Sequence, residues 1–370
     1  MGAGALDGVV VADFSRVLAG PYATMLLADL GAEVVKVERP GAGDDTRHWG
    51  PPYAADGTAT YFAGVNRNKQ SLFLDLSSPE GLAEARALAL RADVVVENFK
   101  PGTMDKMGLG YAALSAENPG VVVCSVSGFG SGEGAALPGY DLLVQAMGGL
   151  MSVTGPEAGH PTKVGVALVD VITGLHAVYG ILAALRHRDA TGEGQHVEVN
   201  LLSSLLSALV NQASAYVAGG VVPRILGNDH PSITPYGVYA TADRPLVLAV
   251  GNDGQFRALC SVLGLDLASD ERFATNPSRV ANRDDLRSAL ESALAAHGAD
   301  HWYSALTAAG VPCGPINDVA GAFDLAASLG LDPVVAVPGS PVPQVANPLR
   351  LSATPATYRT PPPSLPGGAA

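Results

Sequence analysis

The chain has 370 residues, a formal net charge of −13, 48% apolar residues and only 15% charged ones. The acidic balance argues against nucleic acid as the main partner. Three cysteines (Cys124, Cys260, Cys313), none in a CxxC pair, cannot build a disulfide framework or a zinc site. No uncharged apolar run reaches the ~18 residues of a membrane helix, and the N-terminus lacks a basic region followed by a signal segment. A cytoplasmic protein of about two domains is expected.

Strand and helix signals alternate over the first 130 residues. Residues 9–14, 32–37, 71–76, 93–98 and 121–126 are β-branched apolar runs. Residues 22–30 read as a helix closed by Gly31. Ser78-Pro79-Glu80 supplies an N-cap, a first-turn proline and a first-turn acid for a helix running to about residue 92. Strands apolar on both faces and separated by helices predict a doubly wound parallel α/β sheet. Helices are then expected at 141–151, 170–187 and 201–218, with a strand at 194–199. Strands at 232–239 and 246–250 and helices at 253–263, 283–297 and 299–309 form a smaller α+β domain. The boundaries are 1–222 with 316–370 for the large domain and 223–315 for the small one. Residues 360–368 predict a mobile, proline-rich, PPII-like tail.

In doubly wound sheets ligands bind beyond the carboxyl ends of the strands. The loop after the first strand, Ser15-Arg16-Val17-Leu18-Ala19-Gly20-Pro21, lacks the glycine spacing a dinucleotide needs. Glu38-Arg39 ends the second strand and reads either as a site for a phosphorylated ribose or as an exposed ion pair. Asn66-Arg67-Asn68-Lys69, Lys100 and Lys106 form a candidate phosphate collar. Asp170 is the one charge in an apolar run. It reads as a helix N-cap, whose carboxyl would be held ionised, and an ionised carboxylate in an apolar setting can also attack an activated acyl group. Residues 251–255, Gly-Asn-Asp-Gly-Gln, read as a capped turn or a lid. No nucleophile elbow and no metal-ligand spacing occur.

From Asp13-Phe14-Ser15-Arg16 through Asn66-Arg67-Asn68-Lys69, Val96-Glu97-Asn98-Phe99-Lys100, Gly139-Tyr140-Asp141, the segment ending at Asp170, and Gly314-Pro315-Ile316-Asn317, the chain resembles the class III (CaiB/BaiF-type) CoA-transferases. The pattern is nearest the succinyl-CoA–glutarate branch. The resemblance implies a Rossmann-like large domain, an intertwined homodimer, and CoA as substrate and product with no permanent cofactor. It implies that acyl-CoA and a small carboxylic acid exchange CoA through an acyl-aspartyl anhydride on Asp170. CoA contacts carry over to Arg16, Val17, Leu18, Ala19, Arg39, Lys69, Asn98, Phe99 and Lys106, with Lys100 from the cationic collar. Tyr140, Asp141, Gly251, Gly254 and Gln255 support the site, with residues 251–255 matching a mobile glycine-rich loop. An α-methylacyl-CoA racemase and a non-catalytic CoA-binding protein are the alternatives. The racemase branch has a histidine where Tyr140 stands.

Overall fold

A computed structural model describes residues 4–366. Six strands form one parallel sheet: β1 (Val10–Asp13), β2 (Glu33–Glu38), β3 (Lys69–Phe73), β4 (Val94–Glu97), β5 (Val122–Ser127) and β6 (His196–Asn200). Each starts within two residues of its predicted position. The spatial order is β3-β2-β1-β4-β5-β6. Chain direction across the sheet therefore reverses between β1 and β4, the place where a doubly wound fold opens a ligand crevice.

The strands alternate between two buried faces. Val11, Val34, Val94, Val96 and Val122 pack under the helices Ala19–Asp29, Leu168–Thr191 and Leu201–Ala208. Ala12, Val35, Val95 and Val123 pack on the opposite side with Leu88, Leu109 and Leu114. The first of those helices begins three residues earlier than expected. Pro21 falls in its first turn, where the backbone needs no N–H donor. The Leu168–Thr191 helix is long and apolar enough to cross a membrane by length and composition. Here Val169, Ala177, Ile181, Ala184 and Leu185 lie buried in the core of the sheet layer.

The described residues divide into two units: 4–150, 163–222 and 331–366, and separately 151–162 and 223–330. The second unit has an antiparallel sheet, β7 (Tyr236–Tyr239), β8 (Leu246–Ala249) and β9 (Cys313–Pro315), and a core of Leu248, Phe256, Leu286, Trp302 and Leu306. β9 had no sequence signal, being three residues that include Gly and Pro. Residues 316–330, expected in the large domain, lie in the second unit.

The Asn66-Arg67-Asn68 stretch is not a phosphate collar. All three residues are buried and hold the C-terminal segment to the sheet. Arg67 pairs with both carboxylate oxygens of Asp29, at 2.9 and 2.6 Å, and donates to the Val345 carbonyl. Asn68 donates to Asp29 and to the Thr357 carbonyl, and accepts from the Arg359 N–H. Arg359 in turn donates to the carbonyls of Ala28, Gly31 and Ala32, satisfying the C-terminal end of the Ala19–Asp29 helix. The proline-rich tail is pinned rather than mobile where it is described: Asn68 donates to the Thr360 carbonyl and Arg47 to that of Pro363. Its last predicted residues, Gly367 and Gly368, lie outside the described residues. Removing one partner of a buried pair leaves the other charge unpaired, which costs about 3–5 kcal/mol. Arg67→Met is therefore expected to lower the stability by that order in urea titration, and to raise hydrogen exchange at residues 345–360. Unchanged exchange there would contradict the clamp.

Candidate active site

The turn after β1 is held from below by buried charges. Asp13 accepts from the Ser15 N–H at 3.0 Å, the Thr24 hydroxyl at 2.6 Å and Lys69 Nζ at 3.2 Å. Burial alone would raise its carboxyl. The charges of Lys69 and Lys36 and the two hydroxyls outweigh this and hold it at about 2. Lys69 donates also to the Pro21 carbonyl and Asn66, and its side chain is fully buried. Burial pulls its ammonium down to about 8, against the attraction of Asp13, and Lys36 adds repulsion. The pair thus remains charged at neutral pH. Lys69, expected among the CoA contacts, is instead part of the scaffold. Its three donors are used inside the protein.

Lys36 donates to the Ser15 carbonyl at 2.8 Å and pairs with Asp44 at 2.9 Å, both side chains fully buried. Asp44 accepts the Val17 N–H at 3.3 Å. Asn98, at the end of β4, accepts the Arg16 N–H at 2.9 Å and donates to the Arg16 carbonyl at 2.7 Å. Four consecutive backbone groups are thereby fixed by three side chains. They hold Val17 at φ 70°, a left-handed conformation that a β-branched residue rarely adopts. The Asn98 side chain makes this clasp across the switch point and also lines one of the cavities over the turn. Glu38 is likewise internal: Arg47 grips both its oxygens at 2.6 and 2.7 Å.

Two cavities open over this turn. One, of about 440 Å³, lies beyond β1–β4, with Phe14, Arg39, Leu74, Leu76, Phe99 and Met107 in its walls. The other, of about 300 Å³, contains Arg16, Val17, Leu18, Ala19, Asn98, Phe99 and Lys100, and reaches Gly139, Tyr140 and Asp170. Arg16 and Phe99 line both, the guanidinium 5.7 Å from the ring centre. The structure so brings together most of the residues expected at the site. Lys106 is exposed, on the short helix between the wall residues Thr103 and Met107.

Asp170 is not an N-cap. The Leu168–Thr191 helix starts after Ala167, which provides no side-chain cap, and Asp170 sits within the first turn. The cap comes from elsewhere in the chain. Asp141 Oδ1 accepts the N–H groups of Val169 at 2.8 Å and Asp170 at 3.2 Å, and its Oδ2 accepts from Gln145 at 2.6 Å. Gln145 also accepts the Val164 N–H. Tyr140 and Asp141 are set by a close backbone crossing: a Cβ on Gly139 would lie 2.6 Å from the Gly128 Cα, so neither glycine tolerates a side chain. Burial, and then the nearby Asp141 charge, push the Asp170 carboxyl up to about 7. The expectation of a carboxyl lowered by the helix start is thereby corrected.

Tyr61 escaped the sequence reading, because one tyrosine on the four-residue Thr60–Ala63 helix leaves no spacing signal. Burial and the charges of Asp170, Asp141 and Asp44 push its phenol up to about 12, so it stays a neutral donor beside the acids. Its ring meets Trp49 edge-on at 5.4 Å. Residues 251–255 belong to the second unit and are tied within it. The Gly251 N–H donates to Gln255 Oε1, Asn252 caps the Asp253–Leu263 helix, and Asp253 pairs with the fully buried Arg279 at 2.7 Å. Among the described residues no group of three or more His, Cys, Asp or Glu side chains could hold a metal.

A doubly wound sheet with a cleft at its switch point defines an α/β fold that hosts many activities, and the whole-chain comparison gives the class. Residues 6–369 match CoA-transferase family III. The chain belongs to that family and is a CoA-transferase. It is 45% identical to a succinate–glutarate CoA-transferase of Agrobacterium fabrum, across 97% of this chain and 92% of that one. It is 42% identical to an acetyl-CoA:oxalate CoA-transferase of Acetobacter aceti, across 92% and 89%. A crystal structure of a CaiB/BaiF family protein from Brucella suis superposes with a TM-score of 0.87 at 43% identity, covering 99% of this chain and 97% of that one.

A carboxyl whose folded pKa exceeds its unfolded value binds its proton more tightly when folded. Its contribution therefore costs nothing at acid pH, and lowers stability as pH rises from about 4 through 7. Asp170→Asn removes that cost. Its stability advantage over the parent is expected to be near zero at pH 4 and to reach ~2–4 kcal/mol above pH 7, read by urea denaturation. A constant difference across that range would contradict the raised carboxyl.

Proposed function

We propose that the protein is an acyl-CoA:carboxylate CoA-transferase in which Asp170 is the nucleophile and the exchanged acids are small dicarboxylic or similar acids. The supporting observation is the single cleft that joins the 16–19 turn and Phe99–Lys100 to Asp170. The acid class rests on relatives named for succinate, glutarate, oxalate and mesaconate.

A carboxylate oxygen of Asp170 attacks the thioester carbonyl carbon. The C–S bond breaks, its electron pair leaves on sulfur as CoA thiolate, and an acyl-aspartyl anhydride remains. The thiolate attacks the Asp170 carbonyl of the anhydride, expelling the donor's acid as a carboxylate and leaving an aspartyl-CoA thioester. The acceptor carboxylate attacks that thioester carbonyl, the thiolate leaves again and a second anhydride forms. Thiolate attack on its acceptor carbonyl then gives the new acyl-CoA and releases the Asp170 carboxylate. In the net reaction one thioester bond is broken and one formed, with no oxidant, reductant or water consumed. Arg16, Arg39, Lys100 and Lys106 supply positive charge for the phosphates, and Phe99 a ring face. Tyr140 lines the same cleft as Asp170, and the charges of Asp170 and Asp141 reach the Tyr61 phenol. Asp141 fixes the Asp170 backbone and keeps its carboxyl weakly acidic and basic enough to attack.

Only the carboxylate attacks, so kcat/KM for the acyl donor should rise with pH through about 7. Asp170→Ala should keep the fold by circular dichroism and lose transfer by at least ~10³-fold. Hydroxylamine added during turnover should convert Asp170 to a hydroxamate, seen by peptide mass spectrometry. Transfer that survives in Asp170→Ala would remove the mechanism, and exchange of an α-proton with deuterated water without CoA transfer would select a racemase instead. A mass-spectrometric screen of succinyl-CoA and acetyl-CoA against a panel of acids identifies the pair.

The active form is proposed to be an intertwined homodimer. Apolar side chains left open on the first unit support this: Tyr179 is 63% exposed, Val210 67% and Val217 82%. Sedimentation velocity should give twice the 37.5 kDa chain mass; a monomer at micromolar concentration would contradict it.

A further inference from the structure

Arg16 follows β1 and Arg39 follows β2, so two guanidinium groups rise from neighbouring strands at one end of the sheet. They converge on a single carboxylate. Asp45 Oδ1 accepts from Arg39 Nη2 at 2.7 Å, and Oδ2 accepts from Arg16 Nη1 at 3.3 Å. Arg16 lines both cavities, Arg39 the larger one and Asp45 the one that reaches Asp170. Arg16 Nε is buried without a partner. The three side chains are 39–58% exposed, unlike the fully buried Lys36–Asp44 pair beneath them. An exposed ion pair of this kind contributes little to stability, about 0–1 kcal/mol. Its position at the junction of the two cavities is therefore what needs explaining.

We propose that Asp45 is a resident counter-ion, holding Arg16 and Arg39 in the free enzyme and yielding them to a phosphate group of CoA. The inference rests on reading the cleft as the CoA site. Two guanidinium groups aimed at one point repel each other unless an anion sits between them, so the carboxylate keeps both arms in place before the ligand arrives. A phosphate offers more acceptor oxygens and, as a monoester, more negative charge than a carboxylate. It can take over both arginines, but it must first displace Asp45 and tolerate its charge nearby. Asp45 therefore sets affinity downward, which favours release of CoA esters after each transfer.

The test is calorimetric titration of CoA and of 3′-dephospho-CoA into the parent, Asp45→Asn and Asp45→Ser, at low and high salt, with melting curves to confirm folding. Removing the charge should tighten CoA by roughly 3–10-fold at low salt, and the gain should shrink as salt screens it. A gain for CoA but not for dephospho-CoA assigns the 3′-phosphate as the displacing group. A gain for both assigns the diphosphate. Unchanged or weaker binding in both Asp45 variants, while Arg16→Ala and Arg39→Ala still weaken CoA, overturns the counter-ion role alone. If neither arginine variant weakens CoA, the reading of the cleft fails and the inference with it.

Discussion

Lys36 is the pivot of the large unit. Its ammonium is fully buried at the end of β2 and joins the Ser15 carbonyl to Asp44. Asp13–Lys69 on one side and Glu38–Arg47 on the other continue the same layer of charge. Such pairs are poor sources of stability, because desolvation costs several kcal/mol per ion, and apolar residues of equal volume often do as well. What apolar residues cannot do is hold a backbone carbonyl and an amide at fixed points. The lattice does that for the turn after β1, and the strain of Val17, about 1–3 kcal/mol for a left-handed non-glycine, is tolerated because its neighbours are over-determined. The cleft floor is therefore rigid where a ligand meets it.

The same logic recurs at the Leu168–Thr191 helix. Its start offers no capping side chain of its own, and Asp141, almost thirty residues earlier, satisfies two of its amides. Local capping would have needed only a serine at position 167. A cap drawn from another element instead fixes the distance between two acids. Asp141 orients the Asp170 backbone and at the same time repels its charge. One contact thus couples the position of the proposed nucleophile to its basicity.

Much of the sheet was legible from local pattern. Val94, Val95 and Val96 alternate between two buried faces, so an uninterrupted apolar run marks a doubly covered strand. Ser78-Pro79 marked a helix start that the structure keeps, with Ser78 accepting the Gly81 N–H. Asp170 stood out as a lone charge. The errors share one cause. Lys69 and Arg67 have the side chains of ligand-binding residues, but their partners, Asp13 and Asp29, are 56 and 38 positions away. Nothing local tells a buried donor with such a partner from a free one. Tyr61 and Asp45 were missed for the same reason: each acquires meaning only from charges on other elements.

The sequence by itself determined the alternation of strand and helix, the absence of dinucleotide and metal signatures, and the identity of the acid most in need of a role. Those follow from side-chain periodicity and residue type, which are local. The tertiary structure decided which cations are scaffold and which face the cleft, who caps the helix that carries Asp170, and the direction in which that carboxyl titrates. These depend on burial and on charges brought close by the crossing between β1 and β4. Electrostatic energy follows distance in space, and the chain records only distance along itself.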